Sequence, residues 1–345
     1  MHQPYLDGQQ LLVGGSGSKA FLLAGAVPDG AALLSVVEHS GVTDYRPDEL
    51  VVTARAGTPL RELNRLLDNH RQMLPFEPPL FGGAGTIGGA VAAGLSGPGR
   101  PWRGAVRDCL LGVEMLNGFG ELLSFGGQVM KNVAGYDVAR LQAGAFGSLG
   151  VLLGVSIRLL PKPDAEQTCC FEMDAPSALA RMRDWASRPL PLTGACFVDG
   201  VLYARLSGAE AAVRCAVAEL GGDTLGADGE FWQQLRDHQL APLAARPAPL
   251  RVSVPAAAAE PMAGALIEWA GALRWFAQTD AEIDCAAIAA QAEAAGGSAA
   301  LFADGFARRD PATMAPALQS LHRSIKRAFD PRNVINPGLV EIHAD

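Results

Sequence analysis

An α+β fold divided into two lobes is the architecture that this sequence predicts. Three observations carry it. The chain of 345 residues is longer than one hydrophobic core usually organises, so two lobes fit it better than one. As far as Arg158, short β-like runs alternate with glycine-rich loops. Beyond Pro161-Lys162-Pro163 the texture becomes alanine-rich helical stretches separated by short β-like pieces, the pattern of an α+β lobe.

Taken in order, Leu11-Leu12-Val13 forms a short strand that runs into Gly14-Gly15-Ser16-Gly17-Ser18, and a second β run begins at Leu50 after the Pro47-Asp48 turn signal. Thr58 is the expected N-cap of a helix with Pro59 in its first position, and Leu60, Leu63 and Leu67 share one face of it. From Gly82 to Gly99 glycine recurs between prolines, which predicts a functional loop rather than a core helix. Leu110–Leu116, Asn117-Gly118 and Glu121–Phe125 have the form of a β-hairpin, because Asn-Gly supplies the positive φ angles of a type I′ turn. Val151, Leu153, Val155, Ile157 and Leu159 alternate along a strand that stops at Pro161, where the lobes divide. The helical stretches beyond are Ala175–Trp185, Ala209–Leu220 and Met262–Leu273, with Cys196–Leu206 β-like between them. A helix over Met314–Phe329 leads into Asp330-Pro331 and Asn336-Pro337-Gly338.

Composition narrows the function. Apolar residues make up 49% and charged residues 19%, and 40 glycines imply many tight backbone turns. A net charge of -8 and the lack of a Lys/Arg-rich block argue against nucleic-acid partners, which require phosphate neutralisation. No apolar run approaches the ~20 residues of a membrane span, and Met1–Gln10 lacks a signal-peptide pattern, so a cytoplasmic chain is expected, with contact to the inner membrane through a complex left open. Six cysteines without a CxxC pair support neither zinc nor an iron-sulfur cluster and are expected to be reduced thiols.

Gly83-x-Gly85-x-x-Gly88 matches the dinucleotide fingerprint GxGxxG, with Asp108 twenty residues on. The match fails its context, because Pro75-Phe76-Glu77-Pro78-Pro79 cannot be the central strand that must lead into it. The glycines still permit anion binding by another route. The loops Gly14 to Ser18 and Gly82 to Gly89 can each offer backbone N–H groups to one side of a pyrophosphate, with Ser16, Ser18 and Thr86 adding hydroxyls. The residues alone leave open that either loop is only a turn.

Longer stretches are more specific. Arg55-Ala56-Gly57-Thr58-Pro59-Leu60, Gln72 to Pro79 and Thr86-Ile87-Gly88-Gly89, followed by Gly97 to Asp108, Phe125 to Asp137, Gly147 to Val151 and the tail Phe329-Asp330-Pro331…Asn336-Pro337-Gly338, resemble the PCMH-type FAD-binding flavoproteins of the vanillyl-alcohol oxidase/p-cresol methylhydroxylase superfamily. Within it, they resemble the family of glycolate oxidase FAD-binding subunits of the GlcE type. The resemblance implies a two-subdomain FAD-binding domain over residues 1–163, a smaller α+β cap domain over 164–310, and a tail, 311–345, that returns to the FAD domain. It also implies noncovalent FAD. Gly14, Gly15, Ser16, Gly17 and Ser18, with Gly82, Gly83, Thr86, Gly88 and Gly89, would embrace the pyrophosphate. Lys131, Asn132, Gly135 and Tyr136 would lie near the flavin, and Gly150, Val151 and Val155 along the adenosine half. Read by themselves, Tyr136 is open to a core aromatic role and Lys131 to a solvated charge.

Departures from the superfamily matter too. The six histidines (His2, His39, His70, His238, His322, His343) form no HxH or HxxxH pair, so no metal is expected and no catalytic base can be named. The resemblance implies oxidation of glycolate, a small 2-hydroxy acid, to glyoxylate, with electrons passed to a second flavoprotein subunit and an iron-sulfur subunit. Two alternatives stay open: a non-catalytic FAD-carrying relay or structural subunit of the same complex, and a stand-alone flavin alcohol or aldonolactone oxidase.

Overall fold

The computed structural model describes residues 9–23, 25, 28, 30–83, 85–127, 136–226, 229–244, 248–258, 266–277, 284–303, 306 and 316–340. The architecture is α+β, and the chain forms two compact units: Met1–Leu95, Ala105–Pro161 and Asp304–Asp345 in the first, Ser96–Gly104 and Lys162–Ala303 in the second. The inclusion of 96–104 in the second unit is not among the boundaries expected from the sequence. Its cause is local: the Trp269 indole N–H donates to the Gly97 carbonyl at 3.0 Å, and the Arg100 guanidinium stacks 4.4 Å from the Trp269 ring.

In chain order, the first unit contains β1 (Leu11–Gly14), β2 (Ala32–Ser35), β3 (Val42–Arg46), β4 (Val51–Arg55), α1 (Leu60–Asp68), β5 (Gln72–Met73), α2 (Ile87–Ala93), β6 (Leu110–Leu116), β7 (Leu122–Gly126), β8 (Val151–Arg158) and β9 (Leu160–Pro161). β1 and β2 pair in parallel, Leu11 opposite Ala32. β3-β4-β8-β6-β7 is an antiparallel sheet with β8 at its centre, Val155 facing Ala54 on one side and Val113 on the other. α1 and α2 cover it, burying Leu60, Leu63, Leu67, Ile87 and Val91 against Val52, Ala54, Val113, Val155 and Ile157. Each buried Leu, Ile or Val among these contributes about 1.5–3 kcal/mol by leaving water.

Three local expectations change. First, α2 is a helix inside the stretch expected to be loop. Gly88 is small because α2 lies against the end of β4: a Cβ there would come within 2.5 Å of Ala56 Cβ. Gly94, at φ +63°, ends the helix. Second, the N-cap of α1 is Pro59, and Thr58 serves the preceding turn instead, its hydroxyl donating to the Arg55 carbonyl at 2.7 Å and accepting from the Gly41 amide at 2.9 Å. Third, β6 and β7 form the expected hairpin, Leu116 opposite Leu122, but not through a type I′ turn. Asn117 Oδ1 accepts from Phe119 and Glu121 amides, and Gly120 takes the positive φ of +78°. Gly118 is needed for close approach, because a Cβ there would sit 2.7 Å from Asp330 Cα.

The second unit contains β10 (Ala165–Glu172), α3 (Ala175–Ala186), β11 (Leu192–Val198), β12 (Val201–Gly208), α4 (Glu210–Leu220), β13 (Asp223–Leu225), α5 (Glu230–Arg236), β14 (Leu250–Ser253), β15 (Leu266–Glu268), β16 (Leu273–Phe276), α6 (Cys285–Ala294) and β17 (Ser298–Leu301). Its strands form one antiparallel sheet in the order β13-β10-β12-β11-β15-β16-β14-β17. Leu179 and Met182 of α3, with Val213 of α4, pack on Ala195, Phe197, Leu202 and Leu206. Ile288 and Ala292 of α6 pack on Leu250, Val252 and Phe276. The helix expected over Met262–Leu273 is not formed. Its described part is β15, a 3-10 turn at Trp269–Gly271 and the start of β16, and 262–265 lie outside the described residues. Both strands lie inside the sheet and are buried on both faces, so their apolar residues follow no period that distinguishes strand from helix.

The tail belongs to the first unit. After α7 (Pro316–Phe329) the chain runs beside β1, with the Leu11 amide donating to the Val334 carbonyl at 2.7 Å and the Asn336 amide to the Leu11 carbonyl at 2.8 Å. Val334 and Ile335 pack with Val151, Val13 and Leu34. No helix among the described residues is long and apolar enough to cross a membrane.

Candidate cofactor site

A cavity of about 700 Å³ opens in the first unit, large enough for a sizeable ligand. Its walls come from segments that the chain order separates widely. β1 and the loop after it deliver Leu12 to Lys19, β2 and its flanks add Ala31, Leu33 and Val36, α2 with its cap delivers Thr86, Gly88, Gly89, Ala92 and Ala93, and the 146–152 turn with the tail supplies Phe146, Gly147, Gly150, Leu152 and Asn336. Gly14, Gly15, Ser16, Gly17 and Ser18 are thus brought together with Thr86, Gly88 and Gly89. Gly15 makes the juncture possible: a Cβ there would stand 2.8 Å from Thr86 Oγ1.

The two loops differ in what they can offer. Thr86 caps α2, its Oγ1 accepting from the Gly89 amide at 3.1 Å. The Ile87 amide donates to the Thr58 carbonyl and the Gly88 amide to the Ala56 carbonyl, both at 2.9 Å, and the Gly83 amide donates to the Leu80 carbonyl. The amides of Gly15, Ser16, Gly17 and Ser18, by contrast, donate to no acceptor among the described residues. Gly17, at φ +79°, bends this loop.

Other expected site residues fall elsewhere. Gly82 and Gly83 lie outside the cavity wall; both sit at φ +84°, where a side chain is strained. Val151 and Val155 are buried core residues of β8 and lie outside the cavity wall. Their neighbour Gly150 does line the cavity, and a Cβ on it would approach the Leu116 carbonyl to 2.6 Å. Tyr136 is 96% exposed and therefore no core aromatic. Lys131, Asn132 and Gly135 lie outside the described residues.

The sequence marked Asn336 only within the motif that returns the tail to the FAD lobe, not as the residue that joins the walls. Asn336 Oδ1 accepts from the Val13 amide at 2.7 Å, and its Nδ2 donates to the Phe146 carbonyl at 2.8 Å. Behind it Lys326, fully buried, donates to the Ser148 carbonyl at 2.6 Å, Asp330 Oδ2 at 2.7 Å and the Ile335 carbonyl at 2.8 Å. Asp330 in turn accepts from the Val334 and Ile335 amides. The Asn-Pro-Gly signal marked a turn, but nothing in the sequence marked a lysine of an amphipathic helix as buried.

Ionisable groups elsewhere do not supply this cavity with acid–base chemistry. His238 is packed between the rings of Trp275 and Phe302, in the second unit. Desolvation, aided by Arg251, lowers its pKa to about 4, so it is neutral at pH 7. Burial raises Cys109 and Cys170 to about 11, which makes these free thiols poor nucleophiles.

A family model described as an FAD binding domain matches residues 5–126. Glycolate oxidase subunit GlcE of Escherichia coli (strain K12) is 43% identical over 343 residues, which cover 98% of this chain and 94% of that protein. The chain belongs to the GlcE family. Glycolate oxidase subunit GlcD of Bacillus subtilis (strain 168) is 28% identical over 153 residues, 44% of this GlcE-family chain and 32% of that protein, so the likeness to it is confined to a part of each. Alkyldihydroxyacetonephosphate synthase shares the fold, with a TM-score of 0.66 at 14% identity over 97% of this chain and 74% of that one.

Proposed function

We propose that this chain is the FAD-binding subunit of a glycolate oxidase, acting on the CH–OH group of a 2-hydroxy acid within a multi-subunit complex. The observation that carries the reading is the near full-length identity to GlcE, and the cavity agrees with it. Two glycine-rich segments meet there through Gly15 and Thr86, one of them with four amides that have no acceptor among the described residues, beside a wall of Leu12, Leu33, Val36 and Leu152 that suits a flat apolar ring system. Bound FAD would supply hydride acceptance, which no protein side chain offers. The residues of the chain hold and orient it: Gly15 to Ser18 present donors to its phosphates, the apolar wall excludes water, and Gly150 and Asn336 close the far side. Lys131, Asn132, Gly135 and Tyr136 are proposed to lie near the flavin. Residues 1–163 with 311–345 form the FAD lobe in this reading, and 164–310 a cap that meets substrate or partner.

The partners are a second flavoprotein subunit of the GlcD kind and an iron-sulfur subunit, in the cytoplasm, with any membrane contact made through the complex. A second reading is favoured by one observation: among the described cavity residues, no carboxylate, histidine or tyrosine is present to take a proton. In that reading the partner flavoprotein oxidises glycolate and this chain relays electrons. Anaerobic addition of glycolate to the purified chain, followed by its visible spectrum, separates the two. Bleaching of the flavin absorbance is expected if the chain is itself the dehydrogenase. Flavin that stays oxidised alone but bleaches in the assembled complex establishes the relay, and a chain that retains no flavin overturns both.

A further inference from the structure

The two loops of the cavity divide the task of holding an anion unequally. At the start of α2 the amides of Ile87, Gly88 and Gly89 are already bonded to Thr58, Ala56 and Thr86. That leaves the Gly14 to Ser18 loop as the main backbone donor, and four neutral amides do not balance the two negative charges of a pyrophosphate. Lys19 follows directly on this loop, and it is the one ionisable side chain among the described residues of the cavity wall. Its ammonium lies 5.6 Å from the centre of the Phe81 ring, and a Cβ on Gly85 would be 3.6 Å from its Nζ.

The seat under Lys19 is built at a conformational cost. Phe81 has φ +41°, followed by Gly82 and Gly83 at +84°, three successive left-handed residues, of which only the glycines adopt that backbone freely. Phe21 meets Phe81 edge-on at 5.9 Å. Strain at a bulky aromatic persists where its surroundings hold it, and here they hold a ring near the Lys19 ammonium. This also gives Gly82 and Gly83 a role outside the cavity wall: they turn the chain that carries Phe81.

We infer that Lys19, seated on Phe81, offsets one of the two negative charges of the bound cofactor's pyrophosphate, so that selection for a dinucleotide flavin depends on this one charge. The inference rests on the FAD reading above. Its test uses the full chain stripped of flavin, titrated with FAD, ADP and adenosine at low and high salt. Lys19→Gln is expected to weaken FAD and ADP by about ten- to a hundredfold, the range of a charge-assisted hydrogen bond, and to leave adenosine unchanged. The salt dependence of ADP binding should flatten with it. Lys19→Arg should restore most of the affinity, and Phe81→Leu should weaken ADP by a smaller factor. Adenosine is the control for folding in each variant. Unchanged ADP affinity and salt dependence in Lys19→Gln would overturn the inference, as would equal loss of ADP and adenosine, which would make Lys19 structural. Wild-type protein that binds neither FAD nor ADP overturns the FAD reading itself.

Discussion

Lys326 shows how much of this site depends on a side chain that never reaches it. All three of its protons have acceptors in the Ser148 and Ile335 carbonyls and Asp330. Desolvation lowers its pKa, opposed by Asp330. Asp330→Ala would strand a buried ammonium and leave the Val334 and Ile335 amides without their acceptor. A loss of about 3–5 kcal/mol is expected, read as a lowered denaturant midpoint. The double change Lys326→Met with Asp330→Leu removes both charges, yet those two amides still lose their partner, so it should recover only part of the loss. Full recovery would show that the pair acts through charge alone. Because Asn336 follows this clasp and bonds to both Val13 and Phe146, the variants should also loosen the cavity and release flavin more readily.

α2 sets helix propensity against packing at Gly88. Helix propensity alone says that Gly88→Ala should stabilise it by about 1 kcal/mol. The packing says the opposite, since the new methyl would lie within 2.5–2.9 Å of Ala56 Cβ, O and Cα, two of them backbone atoms that cannot swing aside. The clash outweighs the propensity, and a net loss of about 2 kcal/mol is expected from chemical denaturation. Stabilisation would mean that α2 shifts freely on β4. α2 was illegible for a reason of length: over its seven residues the apolar stripe is only Ile87 and Val91, too short to show a period among glycines and alanines that read as loop. α1 was legible because Leu60, Leu63 and Leu67 are large and regularly spaced. Asn117-Gly118 located its hairpin but not the turn, for the second residue answers to Asp330, some two hundred positions away, rather than to φ. Gly14 to Ser18 could be found because a strand ending in glycines has local consequences. Lys326, Asn336 and the loss of the 262–273 helix depend on contacts distant in sequence, which local pattern does not encode.

The division of the whole molecule into two units sets a question that its aromatic residues can answer. All five tryptophans, Trp102, Trp185, Trp232, Trp269 and Trp275, fall in the second unit, while the cavity lies wholly in the first. Tryptophan fluorescence therefore reports on the unit that holds no cofactor, and flavin release reports on the one that does. A ligand stabilises only what binds it, by about 2.7 kcal/mol at a hundred times its dissociation constant. If the units unfold separately, excess FAD should raise the midpoint of flavin release by several degrees and leave the tryptophan transition where it was. If the two transitions move together, the units form one cooperative body, and binding at the first loop is felt throughout the chain. Separate transitions are expected, because each unit has its own hydrophobic core, Val52 to Leu159 in one and Cys169 to Ile267 in the other, the property of a part that can fold by itself.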